Sequence, residues 1–240
     1  MKRFWREVTV EADGDCWRVA LDGRPIRTQR GAPQLVPTAP LAEALAAEWR
    51  AQGETIDPAG FVLRDLADYA LDVVGDVVGD EAGLGRPEAI ARILAFAESD
   101  TLCYRAEPDE ALGIRQRAKW EPLLKAAEAR YGVRFERIAG IIHRKQPDST
   151  VASLRAALES HDPFALAALQ TLTSLAASLV VALAALESEA DPETLWAVAN
   201  LEEDWQAEQW GIDTEAQALR ARRLAEFTAA MRFARLARTA

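Results

Sequence analysis

The sequence predicts an α+β protein: a small N-terminal antiparallel β-sheet domain with packed helices, followed by a larger all-helical C-terminal domain. Three observations predict it. The first 36 residues alternate apolar and polar side chains between Asp-Gly turns, apolar residues from Pro40 onward recur at helical spacing, and half of the 240 residues are apolar against 28% charged. A chain of that length and composition buries a sizeable core in one large or two modest domains.

In the N-terminal part, Phe4, Arg6, Val8 and Val10 lie on one alternating register, and Trp17, Val19 and Leu21 on a second. Asp13-Gly14 and Asp22-Gly23 read as the turns, because glycine enters positive φ without a Cβ clash. The resulting meander needs a covering layer. Pro40 opens a helix with Leu41, Ala44, Leu45 and Trp49 at helical spacing, ending at Gly53; this is the predicted cover, with Trp49 docking it on the sheet. A second helix runs from about Phe61 through Leu63, Leu66, Ala67, Ala70, Leu71 and Val74 to GDEAGLG at 79–85, the predicted boundary between a domain at 1–80 and one at 81–240.

Beyond the boundary, Pro87 opens a helix with Ile90, Ile93, Leu94 and Ala97 inward, and another runs from about Asp109 through Trp120, with Pro122 kinking or restarting it. Residues 133–145 break the helical period and suggest a strand or hairpin returning to the N-terminal sheet. Then come a helix near 149–160 and two begun by Asp162-Pro163 and Asp191-Pro192, where Asp caps and Pro takes the first turn. A last helix is predicted from Thr214, with Thr214 and Gln217 as a capping box and Ala216, Leu219, Phe227, Ala230 and Ala234 inward.

The formal charge of −10 and pI near 4.9 argue against affinity for nucleic-acid phosphates or anionic lipid, and favour a basic protein partner. Cys16 and Cys103 sit in no paired spacing, and MKRFWREVTV lacks a signal-peptide core, so a cytoplasmic protein is expected. Residues 163–186 carry no charge, a length that could span a bilayer. Five hydroxyl or amide residues, abundant alanine and acidic flanks point instead to a buried central helix and no membrane insertion.

Catalytic signals are few. His143 and His161 lie at no metal-ligand spacing, GDEAGLG lacks the Lys-Ser/Thr ending of a phosphate loop, and no G-x-S-x-G elbow occurs. Neither metal nor cofactor is expected. From Glu187 to Leu219, by contrast, there are ten acidic residues and no Lys or Arg. Those at helix starts suit the macrodipole. Glu202, Glu203, Asp204 and Glu208 do not fit that account in one long helix, which also carries Trp196, Trp205 and Trp210. Aromatic anchors beside charge suit a protein interface, while Leu195, Val198, Leu201 and Trp205 share a stripe that would equally suit a core. A solvated acidic face, a general protein-binding scaffold and a carboxylate-dependent hydrolase are the alternatives at this point.

The blocks RFWREVTV, WRVALDGRPIRT, LAEALAAEWRAQGETIDP, SDTLCYRAE and LEEDWQAEQWGIDTEA, in that order, resemble the ATP-twelve family of ATP synthase assembly chaperones of mitochondria and alphaproteobacteria. The resemblance departs at Gly60-Phe61-Val62, where the family usually shows Met-Pro, and at Thr101, where it usually carries Leu. It implies a non-enzymatic chaperone without cofactor, monomeric when free, that binds the unassembled alpha subunit of the catalytic head and masks its beta-subunit-facing surface. Eukaryotic relatives would work in the mitochondrial matrix. Partner binding is then expected at Glu202, Glu203, Asp204, Trp205, Glu208, Trp210 and Asp213, with Trp17, Leu21, Asp22, Gly23 and Trp49 building the domain. Glu48, Tyr104 and Arg105 remain further interface candidates.

Overall fold

The computed structural model describes residues 1–75, 85–140, 143–211 and 213–238. It is α+β, as expected: a three-stranded antiparallel sheet near the N-terminus, then mostly helices. The chain forms two compact units, one from described residues within Met1–Ala89, Asp162–Ala168 and Arg232–Ala240, the other from Ile90–His161 and Leu169–Met231. The boundary expected in GDEAGLG falls at 79–84, outside the described residues.

In the first unit, β1 (Val8–Asp13), β2 (Cys16–Leu21) and β3 (Arg24–Pro25) pair in sequence order. Asp13 pairs with Cys16, so the first turn is Gly14-Asp15, one residue later than Asp13-Gly14, with Gly14 at φ +61°. Leu21 pairs with Arg24 across Asp22 (φ +48°) and Gly23 (φ +76°), the two left-handed positions the Asp-Gly pair predicts. Asp22 is held there because its carboxylate accepts the Arg6 and Glu7 N–H groups at 3.0 and 2.8 Å, which also lowers its pKa. The alternation does not extend back to Phe4, which is 66% exposed; Trp5 is buried instead.

Helix α1 (Ala39–Ala51) starts where the Thr38 hydroxyl accepts the Leu41 N–H, and packs on β1 and β2 through a face that buries Leu41, Ala42, Ala44, Leu45 and Ala46. The Glu48 carboxylate accepts the Leu63 and Arg64 N–H groups at 2.7 and 2.9 Å, satisfying orphan donors at the start of α2 (Val62–Tyr69). A π-helical turn, Ala70–Val74, extends α2. Trp49 is half-buried, its ring 5.0 Å from Trp5 and 4.6 Å from Phe61.

Helix α3 (Gly85–Ala95) buries Ile90, Ile93 and Leu94, as its spacing predicts. In the second unit, α4 (Ala111–Tyr131) runs unbroken through Pro122. The strand expected in 133–145 is short: β5 (Ile138–Ala139) pairs in parallel with β4 (Tyr104–Arg105), not with the N-terminal sheet. Around it, Arg137 bridges Glu121 at 3.0 Å and also Glu128, while Arg105 meets Glu121 at 3.0 Å. Opposed guanidiniums hold both glutamates below their ordinary pKa, against the partial burial that would raise them.

Helix α5 spans Asp148–Glu159. The expected uncharged helix is two: α6 (Pro163–Ala176), begun by the Asp162 cap, and α7 (Leu179–Ala185). Between them Ala177 takes φ +48° and Ser178 becomes an N-cap, its hydroxyl accepting the Val181 N–H at 3.0 Å. The cause lies at buried Asp100. Its carboxylate accepts the Ser178 hydroxyl at 2.7 Å and the N–H groups of Val180 at 2.9 Å and Leu102 at 3.0 Å. Desolvation raises its pKa to about 6 against those hydrogen bonds. Among the described residues no helix is long and apolar enough to cross a membrane.

Candidate functional site

The acidic segment folds as two helices, not one. Asn200, at φ −104° and ψ 22°, separates α8 (Pro192–Ala199) from α9 (Leu201–Trp210). Asp191 caps α8 as predicted, accepting the Thr194 N–H at 2.8 Å. The break corrects the sequence-based account of the charge: Glu202, Glu203 and Asp204 occupy the first turn of α9, where the helix dipole favours anions. It also separates the tryptophans. Trp196 is on α8 and buried against Phe227, with ring centroids 5.6 Å apart, so it belongs to the core.

On α9, only Leu201 is buried. The supposed absence of basic partners holds along the chain but not in space. Arg115 of α4 grips Glu208 with two bonds of 2.5 and 2.7 Å and lies 5.6 Å over the Trp205 ring. The Arg115 hydrogen bond lowers the Glu208 pKa. Arg220, on α10 (Thr214–Ala237), meets Asp204 at 2.6 Å and Glu203 at 3.9 Å. The expected Asp204–Glu208 repulsion is therefore answered by one guanidinium for each carboxylate. Glu202 accepts from the amide of buried Gln116 at 2.5 Å, and Gln116 in turn accepts the Ala106 N–H at 2.9 Å. Partial burial raises the Glu202 pKa, the Gln116 hydrogen bond opposing it.

Two guanidiniums thus meet three of the four carboxylates, Glu202 being held by Gln116, and the helix remains net acidic. Trp205 is half-buried beneath Arg115, while Trp210, at the end of α9, is 79% exposed. Asp213 accepts the Ala216 N–H at 2.7 Å, so it, not Thr214, caps α10. Ala216 and Leu219 are exposed, contrary to expectation, whereas Phe227, Ala230 and Ala234 are buried.

The expected residues Glu202, Glu203, Asp204, Trp205 and Glu208 come together with Arg115, Gln116 and Arg220, which sequence reasoning missed. Nothing local could have found them: Arg115 and Glu208 lie 93 positions apart. The further candidates have structural partners. Glu48 caps α2, Arg105 binds Glu121, and the Tyr104 hydroxyl hydrogen-bonds His143 Nδ1 at 2.7 Å.

A family model described as ATP12 chaperone protein matches residues 2–128, more than half of the chain. The chain belongs to the ATP12 family. Its fold is close to the crystal structure of Atp12 from Paracoccus denitrificans, with a TM-score of 0.87 at 35% identity over 99% of this chain and 98% of that one. Atu1473 from Agrobacterium tumefaciens gives a TM-score of 0.89 at 39% identity, covering 99% and 86%. Among curated proteins, mitochondrial protein atp12 of Schizosaccharomyces pombe is 26% identical over 219 residues, 88% of this chain and 74% of that protein. This ATP12-family chain is accordingly a chaperone of ATP synthase assembly.

Proposed function

We propose that this chaperone binds the unassembled alpha subunit of the F-type ATP synthase catalytic head and covers its beta-subunit-facing surface until handover, without catalysis. Exposed interfaces of an orphan subunit invite self-association, and a transient cover prevents it. The binding face is that of α9, with Glu202, Glu203, Asp204, Trp205, Glu208, Trp210 and the capping Asp213 at its edge. The observation that carries this reading is Trp210: a large indole, 79% exposed, ends a helix whose charge is otherwise ordered by arginines. Aromatic side chains flanked by charge are common interface anchors.

The arginine partners refine the mechanism. Arg115 and Arg220 hold Glu208 and Asp204 in fixed positions, so less side-chain freedom is lost on docking. Glu203, with its side chain 64% exposed, supplies the charge that steers a basic client surface. Handover follows if the beta subunit binds the same surface more tightly.

Trp210→Ala tests the reading. It should leave the thermal midpoint unchanged, because the side chain is solvent-facing, and weaken capture of purified alpha subunit by about 30-fold, the size of a hot-spot loss. Undiminished capture, with aggregation of refolding alpha subunit still suppressed, would remove α9 from the interface.

A further inference from the structure

Exposed apolar side chains in the second unit are not scattered. Among its described residues the large ones left exposed are Ile114 (51%), Trp210 (79%) and Leu219 (40%), on α4, α9 and α10. None lies on α5, α6, α7 or α8. Each stands within two residues of the ion pairs that join α9 to its neighbours: Ile114 precedes Arg115, which grips Glu208, Trp210 follows Glu208, and Leu219 precedes Arg220, which meets Asp204 at 2.6 Å. One exposed isoleucine or leucine needs no explanation, but three around a single charged network mark a surface.

The fold does not call for these side chains. Every residue of α10 from Thr214 to Leu219 is exposed, and Phe227, packed on Trp196, is the first that is fully buried. Alanine would serve the helix at 114 or 219 at least as well as a larger apolar residue. Charge gives the surface a centre and two edges. Glu203, with its side chain 64% exposed, supplies an anion on α9. Arg117, three residues past Ile114, and Arg222 and Arg223, three and four past Leu219, are exposed on the helix faces that carry those two side chains. A basic occupant is therefore attracted at its middle and repelled at its ends.

We propose that Ile114, Trp210 and Leu219 form, with Glu203, one docking surface for a segment of the unassembled alpha subunit in which a basic residue is flanked on both sides by large apolar side chains. The basic residue meets Glu203, and the apolar groups cover the three exposed side chains. The inference rests on the α9 reading and widens it from one helix to three. Residues on α4 and α10 share the contact, and the flanking arginines fix where the segment's charge can lie.

The test places the photo-crosslinking residue p-benzoylphenylalanine at position 114, 210 or 219 of the full-length protein, with Val62, an exposed apolar residue of the first unit, as the control position. Irradiation with purified alpha subunit should give crosslinks from all three positions and far weaker ones from position 62. Ile114→Ala and Leu219→Ala should each weaken capture about fivefold, and together about 30-fold, with thermal midpoints near wild type because neither side chain is buried. Crosslinks and lost capture at Trp210 alone would overturn this proposal and leave the α9 reading intact, whereas no crosslink from any of the three would overturn both. Equal crosslinking from position 62 would overturn it by showing unselective apolar capture. So would a dimer in sedimentation that the alanine variants abolish while capture is unchanged, because the surface would then belong to a second copy of this chain.

Discussion

Two acidic regions of this molecule use carboxylates in opposite ways. Asp100 is fully buried, and both its oxygens accept hydrogen bonds that hold a helix break together. The α9 acids stand at the surface, where Arg115, Arg220 and Gln116 order them without enclosing them. The difference teaches that acid count along a chain says little about function. What matters is whether removing a carboxylate leaves buried donors behind. By that criterion α9 itself divides: Glu202 resembles Asp100, and Glu203 does not.

The largest effect is expected at Asp100. Asp100→Ala leaves the Val180 and Leu102 N–H groups and the Ser178 hydroxyl buried and unpaired, and should cost on the order of 4 kcal/mol. In a chain of this size that lowers the melting midpoint by about 10 °C. A melt within a degree or two of wild type would mean that water replaces the carboxylate. Asp100 also gives a pH signature. Its pKa is raised from 3.8 to about 6 on folding, so its contribution to stability is greatest below pH 4 and declines as pH rises through 6. Asp100→Asn should flatten that part of the stability profile in urea melts from pH 4 to 7, whatever it does to absolute stability.

Next is Glu202. Glu202→Lys strips the buried Gln116 amide of its acceptor and should cost about 2 kcal/mol, whereas Glu202→Gln keeps an acceptor oxygen and should melt near wild type. Equal melts for the two would place Glu202 with the surface acids and dissolve the division within α9. Smaller again is Arg115→Ala. Its ion pair with Glu208 is half exposed, and with the loss of its contact over Trp205 the change should cost about 1 kcal/mol. A loss of more than about 3 kcal/mol would show that Arg115 anchors α9 to α4.

Much of this architecture was legible in the residues. The Asp22-Gly23 hairpin, the Asp162-Pro163 and Asp191-Pro192 helix starts and the apolar stripe of α1 are local signals, and each appears where it was read. What was not legible depends on distant partners. The break at Ala177–Ser178 has no Gly or Pro to announce it, because Asp100 enforces it from 78 positions away. The break at Asn200 is equally unmarked, and missing it turned three first-turn acids into an unexplained cluster. The arginines that order α9 come from α4 and α10. The carboxylates were legible; their counter-charges were not.

The smallest effect on stability, and the sharpest on the proposed function, belongs to Glu203. Its side chain is 64% exposed and only 3.9 Å from Arg220, whose closer partner is Asp204 at 2.6 Å. Removing that weak contact leaves Arg220 paired, so Glu203→Lys should change stability by no more than about 0.5 kcal/mol. If the α9 face steers a basic client surface, the same substitution reverses the charge best placed to act at a distance. Stopped-flow association with purified alpha subunit should then slow about tenfold at low salt, and the gap from wild type should close as salt rises and screens both proteins. Dissociation should change little if, as proposed, Trp210 is the anchor. Glu203→Gln should fall between the two, since it removes the charge without reversing it. An association rate that is the same for all three proteins at low salt, with unchanged melts, would show that α9 holds no steering charge and leave Trp210 alone to define the contact.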